Sequence, residues 1–155
     1  MAGRVETKLA ALGIELPGAP APAANYTPYV LSGALLFISG QLPLQDGALM
    51  TGKLGADRDV SAGAAAARAC ALALIAQARA ACDGDLDRVR RVVKLTGFVN
   101  AAPDFAEHPA VVNGASDVIA EVFGARGTHA RAAVGCGSLP FGVMVEVEGV
   151  FEIEI

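Results

Sequence analysis

With 155 residues, 54% of them hydrophobic and 18% charged, the chain has the apolar content for one compact domain with a real core, which excludes disorder for most of its length. Sixteen acids against twelve bases leave a net charge of −4, so the balance argues against a nucleic-acid surface, which needs a basic stripe to neutralise phosphates. Cys70, Cys82 and Cys136 are odd in number and widely spaced, without the CxxC arrangement of a zinc or redox site, and are expected to stay reduced.

Between Arg4 and Leu16, Val5, Leu9, Leu12 and Leu16 fall at steps of four, three and four, which predicts a short amphipathic helix. Pro17, Pro20 and Pro22 stop it, and the segment is expected to be a tether. Residues 1–23 therefore read as an N-terminal helix and Pro-rich tether, and 24–155 as the domain proper. Tyr29 to Leu42 suits a hairpin turning at Ser32-Gly33, and its second arm, Leu35 to Gln41, is apolar enough for a strand covered on both faces. Gly40 inside that arm marks a bulge or a close approach of another backbone or a ligand.

Asp46-Gly47 reads as a turn, and Ser61 as the N-cap of a long helix reaching about Ala81, closed by Asp83-Gly84. Alanine dominates that helix, which suits close approach to a sheet. It still carries Arg68, Gln77 and Arg79, and the residues after Met1 have no apolar h-region, so neither membrane insertion nor export is expected and a cytosolic location is.

Arg88 to Val99 is predicted to be a strand wetted on one side by Arg88, Arg90, Arg91 and Lys94. Pro109 opens a second helix whose buried stripe is Val111, Ala115, Val118 and Val122. Asn113 lies about 200° from Val111 on that helix and is free to face something other than the core. Gly124 and Gly127 end it, Ala130 to Cys136 is a strand, and Val143 to Ile155 is the last one. In that last strand Val143, Val145, Val147, Phe151, Ile153 and Ile155 share one face, and Glu146, Glu148, Glu152 and Glu154 the other. The order ββαβαββ predicts an α+β fold with two helices on one face of a mixed sheet. The other face is then bare and expected to be covered by a partner subunit.

One constellation looks like chemistry: Arg131, and Glu146 fifteen residues later on what reads as the next strand. A guanidinium fork suits a carboxylate ligand; the alternative is a structural ion pair with one of the C-terminal glutamates. Glu146 suits a general base if burial and neighbouring Glu148 lift its pKa; the alternative is a solvated rim charge. His129, two residues before Arg131, shares its strand face and is a candidate for the same cleft, whereas His108 at a helix start is expected at the surface.

Tyr29 in Pro28-Tyr29-Val30, the segment Ser39-Gly40-Gln41-Leu42-Pro43, and Asn113, Ala130-Arg131, Leu139-Pro140 and Val145-Glu146, across residues 24 to 153, carry a resemblance to the Rid or YjgF-like family, the reactive-intermediate imine deaminases once named L-PSP endoribonucleases. It implies a chorismate-mutase-like α+β homotrimer with clefts between subunits and no metal or organic cofactor. It further implies that Arg131 clamps the carboxylate of a 2-imino or enamine acid and that Glu146 handles the attacking water. Tyr29, Gly40, Asn113 and, by its position, His129 are then substrate-binding. Departures at His129, Ala132, Ala133 and Val147, the N-terminal extension and the insertion at Ala106-Glu107-His108-Pro109 indicate a divergent subgroup. The rival readings are a non-catalytic trimer sensing a small carboxylate, and an endoribonuclease.

Overall fold

The last strand fixes the two sides of the sheet, because Val145, Val147, Phe151 and Ile153 are buried while Glu146, Glu148 and Glu152 stand on the opposite face. In the computed structural model, which describes residues 1–155, this strand, β7 (Val145–Ile153), is the middle of five. The others are β1 (Tyr29–Ser32), β2 (Leu35–Gln41), β5 (Val89–Asn100) and β6 (Ala130–Cys136). Their order is β1-β2-β7-β5-β6, with only β5 and β6 parallel. A separate small hairpin, β3 (Leu44–Gln45) and β4 (Ala48–Leu49), turns at Asp46-Gly47.

Helices α2 (Val60–Ala81) and α3 (His108–Phe123) form one layer on the buried face, which is the expected mixed α+β architecture. The start of α2 differs from expectation: Asp59, not Ser61, is the N-cap, its carboxylate accepting from the Ala62 amide at 2.8 Å. Both residue types can cap, and the one with extended backbone in front of the first turn takes the role. Ala66, Ala67, Ala71 and Ala78 are completely buried, so short side chains bring the axis of α2 close to its neighbours. By length and composition α2 could cross a membrane; here its apolar side chains fill the core beneath the sheet. On α3 the stripe Val111, Ala115, Val118 and Val122 is buried as its spacing predicts, and Asn113 faces outward.

Helix α1 (Arg4–Ala11) is shorter than expected, closing at Leu12 before Gly13 at positive φ. Its N-cap, Gly3, has no side chain to offer, and Asp87 from a distant turn accepts the Arg4 and Val5 amides instead, at 2.8 and 3.0 Å. Those bonds hold the Asp87 carboxyl below the usual aspartate value. Val5 and Leu9 enter the same core as α3, and the proline-rich stretch after them lies along the body rather than hanging free. There the Pro20 carbonyl accepts from the buried Gln77 amide at 2.7 Å.

The strand expected to be covered on both faces is covered on one. Leu36 and Ile38 are buried, while Leu35 and Phe37 remain 38% and 45% exposed. Val30 and Val134 extend that open apolar surface, because both helices pack on the other side.

Candidate functional site

Sequence places Arg131 and Glu146 on consecutive strands, but β5 lies between those strands in the sheet. Arg131 pairs with Leu95, whose side chain is buried under the helices, and Glu146 pairs with Phe98 on the open side. Registered partners share a face, so the guanidinium and the carboxylate of one protomer point to opposite sides of the sheet. No cleft within one protomer brings them together.

On the helix side, Arg131 Nη1 donates to Asn113 Oδ1 at 2.8 Å and to Ser116 Oγ at 3.1 Å, and Nη2 donates to the Pro109 carbonyl at 3.4 Å. Every acceptor is uncharged, and Arg131 takes part in no ion pair, so the alternative of a structural bridge to a C-terminal glutamate is not what the structure contains. Those pairs are instead Arg90–Glu154, Arg88–Asp83, Arg79–Glu6 and Arg4–Asp87. Three of the five guanidinium hydrogens are occupied, which leaves Nε–H and one Nη2–H for a ligand. His129 joins from just ahead of β6: its Nε2 lies 2.9 Å from the same Ser116 Oγ, and its Nδ1 lies 2.6 Å from the Gly127 carbonyl.

On the open side, β2 carries one extra residue against β7 between Ile38 and Gln41, a bulge at Ser39-Gly40. The bulge swings Gly40 against the Glu146 carboxylate, where a Cβ would collide with it. Glu146 is half-buried; burial, and after it the charge of Glu148, lift its carboxyl above the usual range. Gly40 and Glu146 line a groove of about 510 Å³ with Ser39, Leu42, Tyr26 and Phe141 among its other walls. Phe141 is 66% exposed and has a φ of 58°, a strained conformation for a bulky residue.

Tyr29 is not on this groove. It is half-buried and packs against the core, while Tyr26, three residues earlier, forms the aromatic wall. Gly40 and Asn113 are each beside one of the two charged groups, and His129 reaches Arg131 only through Ser116. Sequence reasoning missed Ser116, Tyr26 and Phe141. The available signal for Ser116 was its place three residues after Asn113, on the same face of α3.

A family model described as "YjgF/chorismate mutase-like, putative endoribonuclease" matches residues 6–152. The chain belongs to the YjgF/chorismate mutase-like family. Protein TCP17 of Trypanosoma cruzi is 58% identical over 153 residues, covering 97% of this chain and 95% of that protein. The crystal structure of a protein of unknown function from Agrobacterium tumefaciens is 49% identical, with a TM-score of 0.90 over 97% of this chain and 92% of its own. The YjgF gene product of E. coli is more distant, 26% identical with a TM-score of 0.64 over 89% of this chain and 94% of its own. The match to the Agrobacterium protein thus takes in most of the N-terminal segment, which a 97% coverage cannot omit.

Proposed function

We propose that this YjgF-like chain is a homotrimeric Rid-type deaminase that hydrolyses reactive 2-imino or enamine acids to 2-keto acids and ammonia. The observation that carries the reading is the state of Arg131: a fixed cation held by neutral acceptors, without a counter-ion, and with two donors to spare. Such a group is a receptor for a small carboxylate, because two parallel charge-assisted hydrogen bonds fix both position and orientation. Glu146 with its raised pKa supplies the complementary half, a base able to take a proton from water.

In the proposed cleft Arg131 of one subunit meets Glu146 of the next. The exposed apolar residues Val30, Phe37 and Val134 on the sheet's open face support such an assembly. The substrate carboxylate accepts from Arg131, which sets the imine carbon beside Glu146. Water oxygen bonds to that carbon as the C=N π pair moves to nitrogen, and Glu146 carries one water proton to that nitrogen, giving a carbinolamine; Glu146 then carries the hydroxyl proton to the same nitrogen, so that the carbon–oxygen double bond forms, the carbon–nitrogen bond breaks, and ammonia leaves the keto acid. Gly40 gives the carboxylate room, and Tyr26 and Phe141 flank the substrate side chain. A reducing cytosolic setting suits three free thiols. The endoribonuclease in the family's description fits this groove less well, since each protomer contributes two carboxylates to it, Glu146 and Glu148, against the neighbour's single Arg131.

The test is to supply freshly generated 2-aminoacrylate or 2-iminopropionate to the purified protein and measure keto acid formation, with single-stranded RNA as a parallel substrate. The expected result is a rate above spontaneous hydrolysis that is lost in Arg131→Ala, with intact RNA. Background rates throughout, or a rate indifferent to Arg131→Ala, would remove the deaminase.

A further inference from the structure

We infer that Ser116 and His129 are positioning residues for Arg131, acting through a one-way hydrogen-bond relay that sets the plane of its guanidinium. This rests on Arg131 being the carboxylate clamp proposed above. The relay runs through three separate elements: α3 carries Ser116, the turn Gly124–Gly127 carries Gly127, and β6 carries Arg131.

The polar atoms admit one consistent assignment for a neutral imidazole. His129 Nδ1 lies 2.6 Å from the Gly127 carbonyl, which can only accept, so Nδ1 bears the hydrogen. Nε2 is then an acceptor, and at 2.9 Å the nearest polar hydrogen is the Ser116 hydroxyl. With its proton turned toward His129, Ser116 Oγ presents lone pairs to Arg131 Nη1 at 3.1 Å. Donors therefore point from Arg131 to Ser116, from Ser116 to His129, and from His129 to a backbone carbonyl.

Asn113 Oδ1 takes the second Nη1 hydrogen at 2.8 Å, so both hydrogens of that nitrogen are committed to α3. The planar group cannot then rotate without breaking two bonds, and its Nε edge stays presented to a ligand. A long side chain fixed before binding loses less rotamer freedom when the anion arrives, which appears as affinity. Removing the Ser116 hydroxyl frees one Nη1 hydrogen. Removing the His129 ring frees the hydroxyl to turn its proton elsewhere, a smaller and indirect loss.

The experiment uses the full chain, with calorimetric titration of 2-oxobutyrate and the Nε–Hε cross-peak of Arg131 in a ¹⁵N–¹H spectrum. Ser116→Ala is expected to weaken binding about tenfold and His129→Ala about threefold, each broadening that cross-peak, while Ser116→Thr, which keeps the hydroxyl, stays within about twofold of the parent. Unchanged affinity in both alanine variants overturns the inference. So does weakened affinity with an unaltered Arg131 signal, or a threonine variant as weak as the alanine one. If Arg131→Ala itself binds 2-oxobutyrate normally, the clamp reading fails first, and the relay with it. If only Arg131→Ala loses binding, the clamp stands and the relay falls.

Discussion

Arg131 on the helix side of β6 is surrounded by neutral acceptors that satisfy most of its donors, whereas Glu146 on the open side of β7 makes no side-chain hydrogen bond and has another carboxylate for company. One group is braced and lacks an anion; the other is electrostatically unfavourable and lacks a donor. In the proposed cleft each is half of a site, and because the sheet separates them the other half would come from a second protomer. The difference teaches that the fold makes two surfaces of opposite character on the two sides of one sheet, one braced and cationic, one acidic and apolar.

The strongest way to break this comparison is to divide the halves between chains. On the proposed trimeric reading, Arg131→Ala and Glu146→Gln assemblies are each expected to lose about a hundredfold or more in kcat/KM for the imino acid. Co-refolding them in equal amounts should restore activity at about a quarter of the clefts, where an intact arginine faces an intact glutamate. Absence of any recovery in mixed trimers would place the site within one protomer, against the register.

Acidity sharpens the open side. With Glu146 raised by burial and by Glu148, the acid limb of kcat/KM is expected above the ordinary carboxylate range, activity falling as pH drops through it; Glu148→Gln should move that limb down. The stability sign follows from the same shift. A carboxyl with a raised folded pKa weakens the fold above that pKa, so Glu146→Gln should melt higher than the parent near neutral pH, and the gain should vanish below the ordinary glutamate value of 4.5. A flat pH profile over that range would count against Glu146 as the base.

Gly40→Ala tests the bulge. Its methyl meets the Glu146 carboxylate, which must swing away, and a loss of about tenfold in kcat with little change in 2-oxobutyrate affinity is expected, since the arginine side is untouched. The smallest effect lies far from both halves. Asp87→Ala removes the acceptor of the Arg4 and Val5 amides and should cost about 1 kcal/mol in urea unfolding at neutral pH without affecting turnover. Because that carboxyl's folded pKa is lowered, its contribution is present above the ordinary aspartate value of 3.8 and lost as pH falls through the folded one, so parent and variant should converge in acid.

Much of this was legible in the chain. The alternation in Val145–Ile153 and the spacing of Val111, Ala115, Val118 and Val122 report burial directly, because each is a periodicity imposed by one element. Gly40 in an apolar run announced the bulge, although what comes close there is the Glu146 side chain rather than a backbone or a ligand. What could not be read depends on neighbours. Strand adjacency is not a local property, so the insertion of β5 between β6 and β7, and with it the opposite faces of Arg131 and Glu146, had no sequence signal. Tyr26 and Tyr29 lie three residues apart where irregular chain enters a strand, and no periodicity says which one turns toward the groove. Asp59 and Ser61 are both capping types, and the choice between them was settled by backbone geometry.

Gly114 sits between Asn113 and Ser116 on α3, and a methyl there would run into the Ala64 carbonyl of α2. The interhelical seam is therefore only as wide as that missing side chain allows. Wedging it open would shift the two acceptors that brace Arg131 as a unit, so damage to packing at the crossing would be felt as lost ligand affinity before it was felt as unfolding.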